Sequence, residues 1–234
     1  MAGVNQVVRG PGGLERGLHP GDSVLLSKSI TTISTVGAGV WTAAAMCSGY
    51  IRRTGPTAGY TDTTDTANNV INQLKGNSVA PATMVGLSLE FTVANTVAFL
   101  NTVAAGRGVV LGSLGGVLNI PVSGSKDFLL TIQNDSPEVT VQGVATGNTV
   151  FTFSQSPGQS AFPMGPAPGA LNITPGMIIS LGSGTGGPAA GSTVTGLVLG
   201  QGGIIGVRCS VNIAATVTGL IFSPKMELNN VGLD

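Results

Sequence analysis

The sequence predicts an all-β protein, a β-sandwich or jelly-roll-like domain with one short helix, plus a smaller C-terminal β unit. Three observations predict this. β-branched residues come in runs, as in Ile30-Thr31-Thr32-Ile33-Ser34-Thr35-Val36. Apolar and polar residues alternate with a period of two from Val85 to Val93. Gly- and Pro-rich turn signals recur at short spacing along the chain.

Taken in order, residues 1–22 read as an extended N-terminal arm. Its breaker clusters are Arg9-Gly10-Pro11-Gly12-Gly13 and His19-Pro20-Gly21-Asp22. Residues 23–155 read as the sandwich domain. It opens with strand-like Ser23–Leu26 and Ile30–Val36, broken by Gly37-Ala38-Gly39. Val40–Ile51 is expected as one further strand, ending at the turn Thr54-Gly55-Pro56-Thr57. A short helix is expected near 64–75. Thr63-Thr64-Asp65 offers capping groups, Ala67, Val70, Ile71 and Leu74 make one apolar stripe, and Gly76 supplies a C-terminal stop. The alternating strand of Leu87, Leu89, Phe91 and Val93 follows, extended by Val97 and Phe99 past a bend at Asn95. Shorter strands are expected at Gly108–Leu111, Val117–Ile120, Phe128–Ile132, from Val139, and at Thr149–Phe153, with a turn at Asn134-Asp135-Ser136-Pro137.

The Pro-, Gly- and Ser-rich stretch Ser156–Gly169 is the expected boundary, and residues 156–234 the smaller C-terminal β domain. Its strands fall at Met177–Leu181, Thr193–Leu199, Ile204–Ile213 and Thr216–Phe222, with a glycine-rich loop at 182–187. So few large side chains make a marginal core, so this unit is expected to pack on the first or on a neighbour.

Composition narrows the function. Only 9% of residues are charged and the net charge is zero, against about 25% charged in ordinary globular proteins. Between Glu138 and Arg208 there is no Asp, Glu, Lys or Arg. A surface this poor in charge is expected to be covered by other chains, copies of itself among them. No basic cluster exceeds Arg52-Arg53, so nucleic acid is not an expected partner. No apolar run of about 20 residues exists to cross a membrane as a helix, and the start lacks the blocks of a signal peptide.

The search for chemistry yields little. The single histidine, His19, lies in the Gly/Pro-rich arm and reads as a solvated loop residue. Glu90 sits on the strongest alternating strand, on its polar, outward side. Asp62 and Asp65 flank the helix start, where capping explains them better than metal binding. The glycine patterns match neither a dinucleotide nor a phosphate loop, and the sequons at Asn134 and Asn172 are expected by chance. Cys47 and Cys209 read as reduced, buried thiols. Trp41 reads as core, while Tyr50 and Tyr60 bracket the Arg52–Gly59 loop and suit an interface. No catalytic, cofactor-binding or metal residue is assigned, and no cofactor is expected.

One stretch carries a resemblance. Gly49-Tyr50-Ile51-Arg52-Arg53-Thr54-Gly55-Pro56-Thr57 leads into Thr61-Asp62-Thr63-Thr64-Asp65-Thr66-Ala67 and the short helix. Leu87–Val93, Val103–Leu111 and Phe128–Ile132 follow in order. This segment, roughly residues 45 to 145, resembles structural proteins of tailed-bacteriophage virions, head decoration or cement proteins most of all. The resemblance implies a homotrimer on the capsid exterior, made in the bacterial host cytoplasm, with the major capsid protein as partner. A tail, baseplate or fibre component with a receptor- or glycan-binding role stays open beside it.

Overall fold

The computed structural model describes residues 6–7, 23–26, 29–77, 83–112, 118–145, 149–153, 172–185, 187–200, 203–213 and 217–231. Most of the expected arm, His19 and the 156–169 stretch lie outside them. The chain divides into two compact units, Met1–Asp135 with Met226–Asp234, and Ser136–Lys225. The division therefore falls at the turn Asn134–Pro137 rather than at 156, and the C-terminal segment returns to the first unit.

In the first unit, β1 (Gln6–Val7) pairs antiparallel with β2 (Ser23–Leu26). Then a path repeats. β3 (Ser29–Ile33) enters an eight-stranded sheet, and β4 (Val40–Trp41) a three-stranded one. Helix α1 (Ala43–Cys47) leads back to β5 (Gly49–Arg53) beside β3, with Ser29 opposite Gly49. β6 (Tyr60–Thr64) lies beside β4, and α2 (Ala67–Asn77) follows. β7 (Ser88–Asn95) lies beside β5, with Tyr50 opposite Thr92, and β8 (Asn101–Ala104) lies beside β6. All four of these pairings are parallel. Parallel neighbours cannot be joined by a tight turn and need a crossover of about a dozen residues or more. Here each crossover consists of one helix and one strand of the other sheet. The result is a three-turn parallel coil, whereas a jelly roll is built of antiparallel strands.

β7 also carries β2 along its first residues, parallel, and β10 (Ser125–Asn134), antiparallel, along its other edge. β17 (Lys225–Asn230) lies beside β10 and runs parallel to β9 (Val109–Leu111). The Val231 N–H donates to the Asp127 carbonyl at 3.0 Å and the Gln133 amide to Glu227 at 2.5 Å. One index rises as the other falls, so β10 and β17 are antiparallel, and the second unit is inserted where a hairpin loop would be. Trp41, Phe91 and Phe128 centre the core, with ring centroids 5.4 to 6.0 Å apart.

The strand expected over Val40–Ile51 is interrupted by α1. Three alanines favour helix, Thr42 Oγ1 accepts the Ala45 N–H at 3.2 Å, and Gly49 takes a φ of 81° to leave the helix. Helix α2 begins at Ala67 because Thr66 Oγ1 accepts the Asn69 N–H at 3.2 Å, and its stripe Ala67, Val70, Ile71 and Leu74 is buried as expected. The strand β7 stops at Asn95 and does not continue through Val97 and Phe99.

The second unit is antiparallel: β11 (Val139–Ala145), β12 (Val150–Phe153), β13 (Ile178–Gly184), β14 (Val194–Gly200), β15 (Gly203–Cys209) and β16 (Val217–Ser223). The six strands lie in the order β13-β16-β11-β12-β15-β14. A bridge between Ile178 and Thr193, with the Ile179 N–H on the Ser192 carbonyl at 2.8 Å, joins the first and last of these. The sheet thus closes on itself. Register shifts in β11 and β13 against β16 give the bends that closure needs. Phe151, Met177, Ile179, Val207, Leu220 and Phe222 fill the interior. Apolar residues of the charge-free stretch, Phe151, Ile178 and Ile179, are thus buried within the unit itself, and Phe162, Met164 and Leu171 lie outside the described residues.

Because β10 and β17 already form a ladder, replacing Ser136–Lys225 by a short Asn-Gly turn is expected to leave the first unit folded. Ser136–Lys225 alone is expected to fold around its own core. Far-UV circular dichroism and a cooperative thermal transition for each piece check both.

Candidate functional site

Arg53 ends β5 and Asp62 sits in mid β6, both fully buried. Arg53 Nε lies 2.8 Å from Asp62 Oδ2. That N–H is not aimed along the contact, so the pair is ionic and the directed hydrogen bonds go elsewhere. Arg53 Nη1 donates to the Ile33 carbonyl at 2.8 Å and Thr35 Oγ1 at 3.1 Å, and Nη2 to the Gly37 carbonyl at 2.7 Å. Asp62 accepts from the Gly39 N–H at 2.8 Å, Trp41 Nε1 at 2.9 Å and Asn101 Nδ2 at 3.1 Å. The guanidinium stands 5.0 Å over the Tyr60 ring, and the Tyr60 hydroxyl donates to Asn95 Oδ1 at 2.9 Å. The network touches every turn of the coil.

Asp65 does a second internal task. Its Oδ2 accepts the Ala43 N–H at 2.8 Å, and its Oδ1 the Thr66 N–H at 2.8 Å. One carboxylate serves the starts of both helices, where free N–H groups favour a negative charge. Asp65 caps as expected, whereas Asp62 is an ion-pair partner and not a cap. Tyr60 is buried in this network and does not present its ring to a partner, while Tyr50 is half-buried. Trp41 is in the core, and Cys47 and Cys209 are buried free thiols in separate units. Asn134 is buried and Asn172 exposed.

Glu90 is exposed on the outer face of β7. It lines a depression of about 170 Å³ with Thr92, Asp127 and Val231. There the Thr92 hydroxyl donates to Asp127 at 2.5 Å, and no histidine or thiol lines the depression. A wider groove of about 500 Å³ runs beside the helices, lined by Thr42, Asp65, Asn69, Asn72 and Gln73. Its one carboxylate is committed to capping. Among the described residues no group of three or more His, Cys, Asp and Glu is placed to hold a metal, and no helix is long and apolar enough to cross a membrane.

The first turn of the coil, Ser29 to Cys47, carries no charged residue and exposes apolar side chains. Ile30, Val36 and Val40, all on the first turn of the coil, are 65%, 68% and 51% exposed. Sequence reading missed the exposure of these residues and the Arg53–Asp62 pair. The signal for the pair was its presence in a segment otherwise almost free of charge. Comparison with protein families, curated proteins and solved structures finds no match.

Removing one partner of a buried ion pair strands the other charge. Asp62→Ala is expected to lower unfolding free energy by about 3–5 kcal/mol, and Arg53→Met with Asp62→Leu by less than either single change. Urea denaturation of Asp62→Ala, of the double variant and of its two component single variants measures this. Burial pushes the Cys47 thiol up to about 12 and Cys209 up to about 11. Burial, then the Asp62 charge, pushes Tyr60 up to about 12. All three are groups that the unfolded chain deprotonates first. Stability is therefore full below pH 9 and falls as pH rises from 9 toward 12. Urea midpoints across that window check the slope, and Cys47→Ala is expected to flatten it.

Proposed function

We propose that this protein is a non-catalytic structural component of a tailed-phage virion, a capsid decoration protein that binds the major capsid protein lattice as an oligomer. The observation that carries the reading is where the ionic groups go. Arg53, Asp62 and Asp65 belong to the segment that resembles virion proteins, and each is spent on holding the coil together. That leaves the first turn of the coil to present apolar and hydroxyl side chains. Such a surface suits close contact with another β-rich protein and offers little to a charged substrate. Repetition over a lattice turns a modest contact into stable coverage.

The homotrimer and the exterior location are parts of this proposal that rest on the resemblance. On the tail reading, Tyr50 and Tyr60 are the aromatic rings that would stack on a glycan. Tyr60 supports it poorly, since its ring lies under Arg53 and its hydroxyl is bonded to Asn95.

The test is reconstitution. The purified chain is added to expanded phage heads that lack their decoration protein, and co-sedimentation and electron microscopy are read. Saturable binding at lattice positions and a raised thermal transition of the heads are expected. No binding to heads, together with labelling of the tail in intact virions, would overturn the assignment.

A further inference from the structure

We draw no further inference here: the strongest candidate, the first turn of the coil with its exposed Ile30, Val36 and Val40, carries none because nothing in the structure shows what covers those side chains.

Discussion

The buried Arg53–Asp62 pair is the constraint around which the first unit is organised. Placing both ions out of water is costly and is offset only when their remaining hydrogen-bonding capacity is met. The two Nη groups of Arg53 meet it with the carbonyls of Ile33, which ends β3, and of Gly37 beyond it, and Asp62 with a main-chain N–H and two side chains from β4 and β8. Those partners come from consecutive passes of the chain. The pair therefore fixes how each turn of the coil stacks on the next, a matter that apolar contact alone leaves loosely specified. The close approach it enforces shows at Gly55, where an added Cβ would lie 2.0 Å from the Ser34 carbonyl oxygen.

The second unit solves its stability problem differently. It has no buried ion pair among its described residues and relies on closing a six-stranded antiparallel sheet around a small apolar interior. Closure removes the free edges that an open sheet would expose.

Much of the strand pattern was legible because it depends on local rules. Leu87, Leu89, Phe91 and Val93 alternate with polar neighbours, and that period appears directly as β7. Ala67, Val70, Ile71 and Leu74 read as a stripe and became the buried face of α2. The misses have nonlocal causes. Helix α1 is only a short run of residues, and its first N–H is capped by Asp65, more than twenty residues away. β17 reads as polar, with Glu227, Asn229 and Asn230, yet it is held between β10 and β9. Composition points to the Pro/Gly-rich stretch 156–169 as the boundary, while the division follows the return of β17 to β10.

The sequence alone determined the class of this protein. The alternating and β-branched segments require strands. Only the tertiary structure decided the topology, because parallel and antiparallel neighbours use the same residue types and differ in which distant segments meet. It also decided what Asp62 and Tyr60 are for. A carboxylate and a phenol look alike in a sequence whether they face water or a guanidinium, and burial beside Arg53 is a property of three dimensions.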